Sequence, residues 1–193
     1  YPFELGGTNY FGSSITTIGD LDGDGVQDLA VGARNDANNA SESSEGAVYI
    51  LFMNVNGSVS SNDKITDGMA GFSPSGLGNT DHFGSSITNI GDLDGDGVQD
   101  LAVGASDDEN SDSAEGAVYI LFMNVNGSVA SNVKITDGMA GFNPSGLDAS
   151  DMFGTSIANI GDLDGDGVKD LAVGAYQDST DETNEGAVYI LFM

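Results

Sequence analysis

The residues most able to do chemistry in this chain are aspartates, and they come at a fixed spacing. Asp20, Asp22, Asp24 and Asp28 take positions 1, 3, 5 and 9 of the run Asp-Leu-Asp-Gly-Asp-Gly-Val-Gln-Asp. Odd-numbered carboxylates in a tightly turning loop point to one centre. Gly23 and Gly25 permit the turn, and the Val26 carbonyl at position 7 is placed to add a backbone oxygen. Hard oxygen ligands in that number suit Ca²⁺, whereas Mg²⁺ takes fewer carboxylates and more water. The same run recurs at Asp92, and at Asp162 with Lys169 in place of the glutamine. One Asp-Gly run is a common polar turn between strands. Carboxylates kept in register in three copies are better explained by a divalent ion, because unneutralised they would repel one another. The run begins like an EF-hand loop, but it has no Glu at position 12 and is flanked by short strands, which rules out the helical EF-hand.

The elements that position these loops repeat with them. Phe11-Gly12, Phe83-Gly84 and Phe153-Gly154 open equivalent units, spaced by 72 and then 70 residues. Each continues with a Ser-Ile stretch, the Asp loop, Asp-Leu-Ala-Val-Gly-Ala (28–33, 100–105, 170–175), an acidic segment, and Gly-Ala-Val-Tyr-Ile-Leu-Phe-Met (46–53, 116–123, 186–193). The acidic segment is twelve residues long at 34–45 and ten at 106–115 and 176–185, which marks it as a surface loop. Strands are predicted at Ile15–Ile18, at Leu29–Val31, at Ala47–Met53 and around Lys64–Thr66, with copies in the later units. Ala47–Met53 is apolar on both faces and belongs between packed sheets. The Asn-Val-Asn-Gly turns at 54–57 and 124–127 reverse the chain, since Asn-Gly supplies positive φ. The chain is therefore all-β, built of tandem four-stranded antiparallel blades of β-propeller type. A linear solenoid stack is the runner-up. The units run over about 11–82, 83–152 and 153–193, the last one truncated, in one array spanning 1–193. Propellers close with roughly 4–8 blades, so three units imply a partial propeller or one completed by several chains.

Charge excludes several functions. Thirty-one acids face only Arg34, Lys64, Lys134 and Lys169, for a net charge of −27. Such a chain repels phosphate backbones and anionic lipid, so neither nucleic-acid nor membrane-surface binding is expected, and its short apolar runs imply no membrane insertion as a helix. Twelve of the acids lie in the Asp loops and twelve more in the acidic segments, a clustering that favours specific sites over a diffuse solvated coat. There is no cysteine, which removes disulfides, thiolate catalysis and zinc–sulfur sites. Bound metal is then the available staple for a secreted domain. The sequence opens at Tyr1 without an initiator Met and stops inside an apolar run at Met193. It reads as a piece of something longer, with sheet edges at both ends that pair with a neighbouring chain or a continuation of the same one.

The set Phe-Gly, Asp-x-Asp-Gly-Asp-Gly-x-x-Asp, Val-Gly-Ala and Gly-x-Val-Tyr resembles the FG-GAP repeat of integrin α-chain propellers and many secreted bacterial proteins. The resemblance covers essentially the whole chain. It implies propeller blades with Ca²⁺ held between the first two strands of each, about three ions in all. Carried over by match, the ligands are Asp20, Asp22, Asp24, Val26 and Asp28; Asp92, Asp94, Asp96, Val98 and Asp100; and Asp162, Asp164, Asp166, Val168 and Asp170. The Pro that closes the family's Gly-Ala-Pro is replaced by Arg34, Ser106 and Tyr176. Integrin propellers have seven blades where this chain has three units, and no inserted ligand-binding domain is present.

Other candidates carry less. His82, the single histidine, aligns with Tyr10 and Met152, a set that reads as a packing position beside Phe-Gly. No Ser-His-acid arrangement repeats, and the carboxylates best placed for glycosidase chemistry are already assigned to metal. Asn39, Asn56 and Asn126 open N-glycan acceptor tripeptides, the last two inside turns that need them. The acidic segments differ most between units and are where a protein or glycan ligand would bind. The expected function is a non-catalytic, extracellular or cell-surface, calcium-binding repeat scaffold of a larger surface, adhesive or fibre-forming protein. Its partners would be further copies or neighbouring repeats. The alternatives are an accessory propeller of a secreted enzyme and a purely structural filament subunit.

Overall fold

A computed structural model describes residues 8–37, 44–74, 76–109, 114–144, 146–179 and 183–193. Among these the regular structure is all strand. The first sheet is β1 (Phe11–Gly19), β2 (Asp28–Ala33), β3 (Ala47–Met53) and β4 (Val59–Ile65), in that order. The second repeats it with β5 (Phe83–Gly91), β6 (Asp100–Ala105), β7 (Ala117–Met123) and β8 (Val129–Ile135). The third has β9 (Phe153–Gly161), β10 (Asp170–Ala175) and β11 (Ala187–Leu191). All neighbours pair antiparallel in chain order, and the register is copied between units: Val31 faces Tyr49, Val103 faces Tyr119 and Val173 faces Tyr189. These are meander sheets consistent with propeller blades, as the periodicity predicts.

Two strands run further than their apolar residues suggest. β1 begins at Phe11 rather than Ile15, with a register shift between Phe11 and Ile15 that accommodates Gly12 at φ +92°. β4 begins at Val59, ahead of the predicted Lys64, because pairing with β3 recruits the polar residues Ser60 to Asp63 into an outer, half-exposed strand.

The sheets stack so that β1 lies beside β5 and β5 beside β9. The middle strands β3 and β7 are buried on nearly every residue, as expected for strands between packed layers. An aromatic joint recurs between sheets: Phe72 stacks on Phe83 at 4.8 Å and Tyr119 meets both edge-on at 5.7 Å. Phe142, Phe153 and Tyr189 repeat it, with the stacked pair at 5.0 Å. Backbones also approach closely. A Cβ added to Gly32 would collide with the Gly84 carbonyl, and one at Gly104 with the Gly154 carbonyl. Ser14 and Ser86 hydroxyls donate to those same carbonyls at 2.8 and 2.6 Å. β11 pairs with β10, and its Val188 is 67% exposed, where the equivalent Val48 and Val118 are covered by the following sheet.

Candidate metal centre

Each Asp loop joins the first strand of a sheet to the second, and glycine makes its curl possible. Gly23 and Gly25 sit at φ +79° and +92°, and a Cβ on either would meet nothing within 4 Å, so the requirement is conformational rather than steric. The loop's own amides then clamp the carboxylates. Asp20 Oδ2 accepts the Gly25 N–H at 2.8 Å, Asp22 Oδ1 that of Asp24 at 3.2 Å, and Asp24 Oδ1 that of Val26 at 2.8 Å. Gly97, Asp96 and Val98 donate in the same way to Asp92, Asp94 and Asp96. The third loop copies this with Gly167, Asp166 and Val168 on Asp162, Asp164 and Asp166.

Position 9 differs from the rest. Asp28, Asp100 and Asp170 are fully buried. Both oxygens of Asp28 accept main-chain N–H groups, Leu21 at 2.8 Å within the loop and Met53 at 2.9 Å on β3. Leu93 and Met123 serve Asp100, at 2.7 and 3.0 Å, and Leu163 and Met193 serve Asp170, at 2.7 and 3.2 Å. Burial pushes the Asp100 carboxyl above its usual range against the pull of those two amides, and the charges of Asp94 and Asp96 push it further the same way.

The structure draws carboxylates together in every loop, but three at a time rather than four. Asp20, Asp22 and Asp28 converge in the first, Asp92, Asp94 and Asp96 in the second, and Asp162, Asp164 and Asp170 in the third, with one oxygen from each within 4.8 Å of the others. Asp24, Asp100 and Asp166 fall outside these triplets. Val26, Val98 and Val168 enter the observed network through their N–H groups. Converging anionic oxygens of this kind are a donor set that fits a hard divalent cation.

A second polar constellation went unread in the sequence. Asp36, Asp108 and Asp178, buried three residues past each Gly-Ala, accept hydrogen bonds from the hydroxyls of Tyr49, Tyr119 (2.6 Å) and Tyr189 (2.5 Å). Lys134 Nζ lies 2.5 Å from Asp108 and Lys64 Nζ 3.2 Å from Asp36. Burial above all, with the Asp108 charge, pushes the Tyr119 hydroxyl far up, so it stays protonated and donates. The recurrence of Gly-Ala-x-x-Asp together with Gly-Ala-Val-Tyr was the available signal.

His82 is not simply a packing residue. It, Tyr10 and Met152 all sit at positive φ, and each contacts the start of the acidic segment. His82 Nδ1 lies 2.6 Å from Asp107 Oδ2, the Arg34 guanidinium covers the Tyr10 ring at 5.3 Å, and Gln177 Nε2 approaches Met152 Sδ at 2.6 Å. Burial pushes Asp107 up, but hydrogen bonds from His82 and Ser106 outweigh it and leave the carboxyl below its usual range. Of the acceptor asparagines, Asn56 and Asn126 are exposed, and each Oδ1 accepts the N–H and hydroxyl of the Ser two residues on. Asn39 and the middles of the acidic segments lie outside the described residues.

Comparison with known proteins agrees with this geometry. The FG-GAP repeat model matches residues 11–51, 83–121 and 153–191, and the chain belongs to that family. It is 35% identical to integrin alpha-4 of Xenopus laevis over 178 residues, covering 90% of this chain and 15% of that protein. It is 38% identical to integrin alpha-11 of Homo sapiens over 173 residues, covering 86% of this chain and 12% of that protein. The repeats are thus integrin-α-like, and the chain spans a small part of the relatives it matches. Among the described residues no helix is long and apolar enough to cross a membrane.

Proposed function

We propose that this chain is a non-catalytic, calcium-binding repeat scaffold of a larger extracellular surface, adhesive or fibre-forming protein. The observation that carries the reading is the threefold convergence of loop carboxylates at the same place in each sheet. In the bound state Asp20, Asp22, Asp24 and Asp28 with the Val26 carbonyl would hold one Ca²⁺. Asp92, Asp94, Asp96, Val98 and Asp100 would hold a second, and Asp162, Asp164, Asp166, Val168 and Asp170 a third. The ion supplies charge neutralisation to a loop that otherwise holds mutually repelling groups. Position 9 would then tie each ion to the main chain of its own loop and to that of Met53, Met123 or Met193.

The array reads as a single domain of three units, about 11–82, 83–152 and 153–193, with neighbouring repeats or further copies as its structural partners. Kinship with integrin α chains supports an adhesive, cell-surface or extracellular setting. A protein or glycan ligand would engage the variable acidic segments. Calorimetric titration of metal-free protein with Ca²⁺ tests the reading. Three ions per chain are expected, and the absence of binding would refute it.

A further inference from the structure

The Asp loops of successive sheets stand side by side, and hydrogen bonds at their bases hold them there. The Asn89 amide donates to the Thr17 carbonyl at 3.0 Å, and the Asn159 amide to the Asn89 carbonyl at 2.9 Å. Through Oδ1 each of these asparagines also accepts the N–H of the glycine that precedes its own loop, Gly91 at 2.8 Å and Gly161 at 3.0 Å. Position 8 of one loop then reaches the base of the loop before it. A Cβ added at Gly19, next to Asp20, would lie 3.4 Å from Gln99 Cγ. One added at Gly91, next to Asp92, would lie 2.9 Å from Lys169 Nζ. At Gly161, next to Asp162, it would meet nothing within 4 Å. Asp92, Gln99, Gly167 and Lys169 line one cavity between the second and third loops.

The loops are near copies, but what stands over their bases differs in charge: a neutral glutamine over the first, an ammonium over the second, an open seat over the third. Resting on the calcium reading above, we propose that Lys169 tunes one metal site from the neighbouring loop. Its fixed charge, carried by the third loop, weakens Ca²⁺ binding by Asp92, Asp94, Asp96, Val98 and Asp100 in the second. A positive charge raises the potential at a site that must take up a dication, by an amount that falls with distance. Lys169 is exposed, so salt screens the effect. The lysine is not needed to form a loop, because the first two curl through the same amide contacts with Gln27 and Gln99 at that position. The three sites are therefore unequal, and the second fills last.

The test is calorimetric titration of the metal-free chain with Ca²⁺ at low salt, against a competing chelator where binding is tight. Three ions should bind, one of them about three- to tenfold more weakly than the others. Raising the salt to about 1 M should narrow that gap. Lys169→Gln should strengthen the weak site by the same factor and keep three ions bound. Gln99→Lys should create a second weak site, at the first loop. Both changes exchange residues the chain already carries at this position, so the loops should still form. In an Asp96→Ala background, where the second site is lost, Lys169→Gln should leave the two remaining affinities unchanged. Three ions bound with unchanged affinities in Lys169→Gln or in Gln99→Lys would overturn the proposal alone. So would a Lys169→Gln effect that persists in the Asp96→Ala background, since the lysine would then act within its own loop. A wild-type chain that binds no Ca²⁺ would refute the calcium reading itself, so the two failures are distinct.

Discussion

Asp100 Oδ1 accepts the main-chain N–H of Met123 at 3.0 Å, so the residue that closes the second Asp loop also fastens the end of β7. Its other oxygen accepts Leu93 N–H at 2.7 Å, and the side chain is fully buried. Asp100→Ala should therefore destabilise even metal-free protein, by about 1–3 kcal/mol for the buried donors left unpaired. Exposed Asp96, which accepts the Val98 N–H within its loop, should cost metal-free protein less than about 1 kcal/mol when changed to Ala. Denaturant titration in chelator separates the two, and in calcium both variants should bind two ions rather than three.

The close passage of backbones between sheets can be probed with one methyl group. Gly104→Ala places a Cβ against the Gly154 carbonyl of the next sheet, whereas at Gly174 a Cβ meets only Ser156. The first should lower stability by about 1–3 kcal/mol through overpacking. The second should cost visibly less, because the Ser156 side chain can turn away. Equal melting temperatures for the two variants would contradict the observed stacking.

Lys134 is the cation of a buried pair, with its side chain 8% exposed and Asp108 at 0%. Lys134→Met leaves that carboxylate with the Tyr119 hydroxyl but without its charge partner, a loss of about 3–5 kcal/mol. Burial already pushes Asp108 up, and Lys134 pulls it back. Without the lysine its folded pKa rises further, so the deficit should shrink as pH falls. Urea unfolding at pH 8 and pH 5 measures the difference.

Much of this was legible because the chain states it three times. The β3 and β7 strands, the Asn-Gly turns and the aspartate register follow from apolar runs and spacing alone. β4 was read short because Ser60, Ser61, Asn62 and Asp63 are polar, and only pairing with β3 makes them a strand. The anchoring of Asp28 by Met53 spans 25 residues, and no local pattern announces it. The Asp108–Tyr119–Lys134 group joins a loop, a middle strand and an outer strand, so it becomes visible only once the sheet is assembled. His82 was misread for the same reason, its partner Asp107 lying 25 residues away.

The central claim, that calcium in the Asp loops holds the array together, is tested most directly by melting the chain with and without chelator. At free Ca²⁺ about a hundred times the dissociation constant, each site adds roughly 2.7 kcal/mol. Three sites then contribute about 8 kcal/mol, within the 5–15 kcal/mol range typical of whole-domain stability. At roughly 2–4 °C per kcal/mol for a chain of this size, chelation should lower the melting temperature by about 15–30 °C or abolish cooperative unfolding altogether. A melting temperature unchanged by chelator would show that the loops are held by their own amides and that calcium is not what stabilises this fold.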